Sequence, residues 1–257
     1  MSKFFVISDI HGFYDQMIEA LNEAGFDKDN PDHILVSLGD NFDRGDKNVD
    51  VMNYLIGLPR KIMVKGNHES LLLECCFRGF PQSHDFGNGT VKTINEFGGA
   101  KEGTPFDECC EITLAKTKEF IGQMVNFFET QNYIFVHSYP VLKRCDDMPR
   151  HYTRGRVFEY DPNWRNADDR QWEDSMWGNP FALHEIHGKH FDKTIVCGHW
   201  DTSWAWMRYH GTTDEIMDEC FDPYYMDGLI GIDAMTAYSG MVNVLVLEDE
   251  LFFSNCK

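Results

Sequence analysis

Aspartates, histidines and an asparagine recur along this chain in short pieces, and these are side chains that hold divalent cations. The pieces are Ser8-Asp9-Ile10-His11-Gly12, Gly39-Asp40-Asn41-Phe42-Asp43-Arg44-Gly45, Lys65-Gly66-Asn67-His68-Glu69, Val136-His137-Ser138 and Cys197-Gly198-His199-Trp200. Asp9 and His11 are two residues apart, so at a strand end both can reach one cation. Asp40 follows Gly39 where a carboxylate could bridge two cations. The amide oxygen of Asn67 is a hard ligand, which puts His68 beside the metals, and His137 and His199 add imidazoles. Each piece also has a plain alternative. Gly-Asp is a turn signal. Asn67 is a favoured helix cap with Ser70 three residues on. A lone strand-end histidine is commonly structural. Five pieces in order, each behind an apolar run, favour a two-metal site.

The elements that must position these residues alternate strand and helix. Residues 4–8, 34–38 and 62–64 read as apolar strands. Residues 14–24 carry Met17, Ile18, Leu21 and Ala24 at helical spacing and close on Gly25. Residues 49–58 form a short helix stopped by Pro59, and Asn67 opens a helix to about residue 77. Two successive βαβ units follow, with parallel pairing. Further on, 90–97 and 114–130 read as helices and 133–136 as a strand ending at His137. A polar stretch, 143–174, looks like an excursion over the surface. Strands return at 194–197, 229–232, 242–247 and 251–254, the last two flanking Glu248-Asp249-Glu250 as a hairpin. No repeat or linker interrupts the chain, which predicts one α/β domain over 1–257.

Composition narrows the class. Of 257 residues 42% are hydrophobic and 14% aromatic, as in a globular protein. No apolar run approaches the roughly 20 residues that span a bilayer. The first strand carries ligand residues at its end, so it does not read as a signal peptide, and a cytoplasmic location is expected. The formal charge of −19 disfavours a nucleic-acid polymer as partner. Phosphate capture must then be local. Eight cysteines show no C-x-x-C spacing, which predicts reduced, mostly buried thiols.

The order D-x-H-G, G-D-x-x-D-R-G, G-N-H-E, H, G-H resembles the calcineurin-like metallophosphoesterase superfamily. The piece Gly39–Gly45 is similar to its PPP branch of Ser/Thr protein phosphatases, which includes the prokaryotic-type enzymes and the symmetrical diadenosine tetraphosphatases. The resemblance implies a β-sandwich flanked by helices. It implies that Asp9 and His11 hold one metal, that Asp40 bridges, and that Asn67, His137 and His199 hold the second. Two divalent ions are implied, Mn foremost, with Fe, Zn, Co or Ni as alternatives. A hydroxide bound by both metals would attack phosphorus in line. His68 would be the general acid, Asp43 its orienting carboxylate, and Arg44 the phosphate clamp.

The chain also departs from the pattern. Met176-Trp177-Gly178-Asn179-Pro180 resembles the Leu-Trp-Ser-Asp-Pro element, yet no second phosphate-binding arginine follows it. Lys189, His187, Arg150, Arg154 or Arg156 are candidates to replace it. Asp201 stands where related phosphodiesterases carry a further histidine, and reads as a ligand, a partner of one, or a turn residue. Tyr238 is a candidate counterpart of a tyrosine over the site. Asn88-Gly89-Thr90 resembles a segment of the diadenosine tetraphosphatases and the prokaryotic-type phosphatases. The aromatic stretch 200–225 is a candidate pocket wall. The first expectation is a phosphomonoester hydrolase, a Ser/Thr protein phosphatase acting on a phosphoprotein or small phosphoester. The alternative is a bis(5'-nucleosyl) tetraphosphatase or other nucleotide pyrophosphohydrolase. A non-catalytic binding module is the third, and no membrane partner is expected.

Overall fold

The computed structural model describes residues 2–145, 158–211 and 220–250. In chain order its strands are β1 (Ser2–Ile7), β2 (His33–Ser37), β3 (Lys61–Met63), β4 (Phe127–Glu129), β5 (Tyr133–Val136), β6 (Leu142–Arg144), β7 (Phe158–Tyr160), β8 (Thr194–Cys197), β9 (Tyr224–Met226), β10 (Leu229–Gly231) and β11 (Leu245–Asp249). The helices are α1 (Tyr14–Glu23), α2 (Asn48–Gly57), α3 (Asn67–Arg78), α4 (Ser83–Asn88), α5 (Thr90–Gly98), α6 (Phe106–Gly122), α7 (Asp169–Ser175), α8 (Pro180–His187), α9 (Thr202–His210) and α10 (Thr236–Ser239).

Two sheets form the centre. The first runs β11-β1-β2-β3, with the three N-terminal strands parallel and β11 antiparallel against β1. The second runs β4-β5-β8-β10-β9, parallel in its middle and antiparallel at both edges. The strands read as unbroken apolar runs because both faces of each are covered. Side chains alternate along a strand. Phe4 and Val6 of β1, with Ile34 and Val36 of β2, therefore meet Phe128, Phe135, Val196 and Ile230 of the second sheet. Phe5, Ile7 and Leu35 turn the other way, onto α1, α2, α3, α5 and α6. Ile134, Val136, Ile195 and Leu229 do the same toward α7, α8 and α9. The result is the α/β sandwich flanked by helices that the motif resemblance implies.

Three expectations about elements need correction. The helix expected over 114–130 is instead α6 at Phe106–Gly122, and the apolar residues that follow it belong to β4. Phe128 enters the sandwich core, whereas Phe127, on the opposite face, stacks on Trp172. Alternation, not helical period, governs that stretch. The stretch 143–174 is not wholly an excursion over the surface. Trp164 and Trp172, at 1% and 2% exposure, sit in the core with Phe127 and Phe191. Residues 146–157 lie outside the described residues. The C-terminal strand β11 begins at Leu245, not at 242, and 251–254 lie outside the described residues.

Cys75, Cys76, Cys109, Cys110 and Cys197 are buried thiols, as expected of reduced cysteines. Burial pushes the Cys75 thiol up to about 12. Among the described residues no helix is long and apolar enough to cross a membrane. If the segment around Trp164 is core, Trp164→Ala should lower stability by about 3–5 kcal/mol, read from urea unfolding midpoints. A loss under about 1 kcal/mol would return this segment to the periphery.

Candidate active site

The site lies where β1, β2, β5 and β8 end, together with the β3–α3 junction. Its backbone is unusual before any side chain is considered. Asp9, His11, Asp40, Asp43, Arg44 and His199 all have positive φ, between 51° and 76°. Left-handed backbone at a non-glycine residue costs of order 1–3 kcal/mol and persists only where the surroundings impose it. Here the turns after successive strands are tied to one another. Asp9 N–H donates to Gly39 O at 3.1 Å, His11 N–H to Asp40 O at 2.9 Å, and Gly12 N–H to Asn41 O at 2.9 Å. Gly198 supplies a different need. A Cβ there would run into the Ser8 hydroxyl and the Asp9 carboxylate.

Glu69 joins two of the pieces. Fully buried, its carboxylate accepts from Asp40 N (3.0 Å), Asn41 N (2.8 Å), Asn41 Nδ2 (3.2 Å) and Gly66 N (2.9 Å). The bond from Gly66 N also closes the start of α3, because an acid at the third helical position reaches back to the cap. Gly66, not Asn67, is therefore the cap of α3. The Asn67 side chain is released from capping and turns to His137. The free N–H of His68 donates to Asp40 Oδ1 at 2.9 Å, which aims the helix N-terminus at that carboxylate.

The imidazoles are oriented by backbone carbonyls. His11 donates Nδ1–H to Phe42 O at 2.9 Å, and His137 donates Nδ1–H to Leu38 O at 2.8 Å. A carbonyl can only accept, so each ring spends its Nδ1–H there and turns Nε2 inward. His137 Nε2 then faces Asn67 Oδ1 at 2.9 Å and Asp40 Oδ1 at 3.5 Å. An imidazole nitrogen, an amide oxygen and a carboxylate oxygen converge there, ligand types that a cation satisfies. Ligand atoms of His11, Asp40 and His68 lie within 4.8 Å of one another, and so do those of Asp40, His137 and His199. Asp40 belongs to both groups. Asp9 belongs to neither. Its Oδ2 takes the Ser8 hydroxyl and the His199 N–H.

Electrostatics agree with a cation site. Burial lowers His11 well below the ordinary range, with His68 and Arg44 adding to the effect. Burial, then His137, brings His199 down to about 3. Both rings are thus neutral near pH 7, the form that coordinates metal. Burial opposes the Asp40 charge, but His137, His68, His11 and His199 outweigh it and hold its pKa low. Asp9 is raised, first by burial and then by Asp40, against His137. Two buried carboxylates side by side favour a positive partner.

His68, Asp43 and Arg44 form the rim. His68 donates Nδ1–H to Asp43 Oδ2 at 2.7 Å, and the Thr90 hydroxyl donates to the same oxygen at 2.7 Å. Asp43 is fully buried and its N–H donates to Asn48 Oδ1 at 2.9 Å. Burial works against a charged His68, yet Asp40 and Asp43 raise its pKa. Its Nε2 is engaged by Arg44 Nη2, a donor, at 3.5 Å and lies 3.9 Å from Asp40 Oδ2. Arg44 itself is exposed. Asn48 and Asp233 were not named from the sequence, and Thr90 and Glu69 stood within quoted segments without a role. Asp233 is a buried carboxyl after β10, raised by burial and by Asp9, that accepts from Met235 N at 2.7 Å.

Asp201 caps α9, accepting from Trp204 N at 2.9 Å and from the Ser203 hydroxyl. Tyr238 lies in α10, 64% exposed, with Phe221 beside it. Arg150, Arg154 and Arg156 lie outside the described residues. Lys189 is exposed and His187 is buried at the end of α8. Trp177 meets the His199 ring edge-on, at 6.2 Å between centroids.

This arrangement sits in a recognised lineage. The calcineurin-like phosphoesterase family matches residues 2–231, and the chain belongs to that family. The family is one of metallophosphoesterases, and His11, Asp40, His68, His137 and His199 are candidate ligands for its divalent ions. Serine/threonine-protein phosphatase 2 of Salmonella typhimurium is 39% identical over 70 residues, 27% of this chain and 31% of that protein. The asymmetrical bis(5'-nucleosyl)-tetraphosphatase PrpE of Bacillus velezensis is 42% identical over 72 residues, 24% of this chain and 29% of that protein. The chain thus matches less than a third of the length of these curated relatives. The cold-active protein-tyrosine phosphatase of a psychrophile, Shewanella sp., shares the fold at a TM-score of 0.55 and 17% identity, over 96% of this chain and 76% of that one.

Removing the Glu69 charge tests whether that carboxylate holds the site together. Glu69→Gln should cost about 1–3 kcal/mol in urea unfolding and weaken retention of divalent metal against a chelator. Unchanged stability together with unchanged retention would refute this role.

Proposed function

We propose that this chain is a metal-dependent phosphomonoester hydrolase, and that phosphoserine or phosphothreonine in a peptide is among its substrates. The observation that carries the reading is His68. Its ring is held by buried Asp43, and its Nε2 sits beside Arg44 and Asp40, the carboxylate common to both candidate ligand groups.

Asp9, His11 and Asp40 would hold one divalent cation, and Asp40, Asn67, His137 and His199 the other, with Mn the expected metal. Such a pair, when bound, supplies Lewis-acid charge to phosphate oxygens and acidifies water. Arg44 offers a planar pair of N–H donors that fits two phosphate oxygens at once. Water attacks phosphorus opposite the leaving oxygen, and the bond from phosphorus to that oxygen breaks. The leaving oxygen takes the Nε2 proton of His68 and departs as an alcohol. Asp43 keeps the ring's other proton on Nδ1 and stabilises the imidazolium before it gives up its proton. Thr90 and Asn48 fix Asp43 in turn. The 70-residue likeness to serine/threonine-protein phosphatase 2 supports a peptide substrate. A second reading, a nucleotide pyrophosphohydrolase, is supported by an aromatic-walled cavity beside the centre.

Metal-stripped protein refilled with Mn²⁺ should hydrolyse p-nitrophenyl phosphate and a phosphothreonine peptide. No turnover with any divalent metal would defeat the proposal. Among variants, His68→Asn should lower kcat by about 10²–10⁴-fold with metal retained, whereas Asp40→Asn should lose metal in a chelator competition. A silent His68→Asn would remove the general-acid assignment.

A further inference from the structure

The carboxylate that orients His68 is held by an uneven set of donors. Asp43 is fully buried, and its Oδ2 takes both the His68 Nδ1–H and the Thr90 hydroxyl. Among the described residues no donor reaches its Oδ1. Two donors on one oxygen fix that oxygen and leave the rest of the carboxylate to its backbone. That backbone is left-handed, at φ 76°, a conformation the surroundings must impose. Its N–H is spent on Asn48 Oδ1 at 2.9 Å.

Asn48 can accept that bond in one orientation only. Its Nδ2 donates to Glu96 Oε2 at 2.6 Å. Turned over, the amide would set its NH₂ against the Asp43 N–H and its oxygen against the Glu96 carboxylate. Nor can it swing aside toward the loop after His11, because it packs on the Gly12 backbone. A Cβ at Gly12 would stand 2.6 Å from Asn48 Oδ1. Glu96, half-buried on α5, therefore selects which end of the amide faces Asp43. Its other oxygen accepts from Val49 N at 2.8 Å, at the start of α2, where Lys47 gives no side-chain cap. The plain account of Glu96 is that of a carboxylate closing a helix start. The chain of bonds goes further. Glu96, Asn48, Asp43 and His68 are joined in sequence at 2.6, 2.9 and 2.7 Å.

We propose that Glu96 is a positioning residue of the reaction, acting through the Asn48 amide on the Asp43 backbone and through Asp43 on the His68 ring. The assignment rests on the general-acid reading of His68. Without the Glu96 carboxylate the amide is free to turn over, the Asp43 N–H loses its acceptor, and the left-handed turn relaxes. His68 then loses its seat while the candidate ligands at Asp40, His137 and His199 keep theirs. The damage falls on delivery of a proton to the leaving oxygen.

Two esters separate that damage from a general loss of structure. Phenyl phosphate and 2,4-dinitrophenyl phosphate carry the same phosphoryl group, but the dinitrophenolate departs without a proton and the phenolate does not. In the Mn²⁺-loaded full chain, Glu96→Ala should raise the kcat ratio of the dinitrophenyl to the phenyl ester at least about tenfold, a share of the 10²–10⁴-fold that a general acid supplies. His68→Asn should raise it further, and adding Glu96→Ala to His68→Asn should change it no more, because both act on one step. In Zn²⁺-loaded protein the His68 Nδ1–H proton should exchange faster with solvent in Glu96→Ala than in the unaltered chain. If Glu96→Ala does not fold, Glu96→Gln should give a smaller rise in the same ratio. Equal losses on the two esters, or an unchanged ratio with unchanged exchange, would overturn the proposal and leave Glu96 a helix cap. Failure of the unaltered chain to hydrolyse either ester with any divalent metal is a different result: the reading of the centre falls, and this assignment with it.

Discussion

One buried carboxylate holds the catalytic edge in place. Glu69 is removed from water, and burial raises its pKa, with Asp40 adding to the effect. Burying a charge is costly unless donors replace the lost water. Four N–H groups do so here, and they come from both sides of a gap in the chain: Asp40 and Asn41 after β2, and Gly66 after β3. The two loops cannot separate without leaving that charge unpartnered. The strained backbone at Asp40 and the N-terminus of α3 are thereby set together. From them follow the position of the Asp40 carboxylate, the freedom of the Asn67 side chain, and the seat of the His68 ring.

The same logic extends outward in layers. Phe42 sends its carbonyl to His11 and its ring into the core against Phe97 and Phe120. Asn48 receives the Asp43 N–H and donates to Glu96 of α5 at 2.6 Å. Thr90, the first residue of α5, holds Asp43 from the other side. The 39–45 loop is thus clamped by side chains from α2, α3 and α5 as well as by its own core anchor. Left-handed geometry at Asp43 and Arg44 is affordable only in such a frame, and it puts carboxylate and guanidinium on the same rim as His68.

How much of this was legible in sequence differs by the range of the interaction. The strands showed because a sheet covered on both faces leaves unbroken apolar runs; β2, β5 and β8 came within a residue of their observed bounds and β1 within two. The grouped residues showed because Asp, His and Asn recur at strand ends in a family order. Two kinds of fact did not show. Glu69 stands inside a recognised motif, yet its partners lie 28 and 29 residues away and carry no period to read. The choice of Gly66 over Asn67 as the cap of α3 depends on the same contact. Nor does sequence distinguish the end of a helix from a strand when aromatic residues run through both, which is how β4 was absorbed into a helix. Trp164 and Trp172 looked peripheral because their neighbours are polar. Their burial depends on Phe127 and Phe191, distant in the chain.

The acidic balance of the chain gives the remaining step. At −19, the surface repels an anion at long range, although the Debye length of about 8–10 Å near physiological salt confines that repulsion. A phosphate reaching the centre meets neutral imidazoles, buried carboxylates and the exposed Arg44 guanidinium. In the proposed enzyme, cations at the centre would be needed to reverse the local sign. Attraction of that kind holds any phosphate and does little to distinguish what is attached to it. Selection must then come from the rest of the substrate. Uncharged contacts can supply it, because burial of apolar surface is insensitive to net charge. In the proposed enzyme an acidic surface is then compatible with an anionic substrate, because its uncharged part can be held apart from the centre.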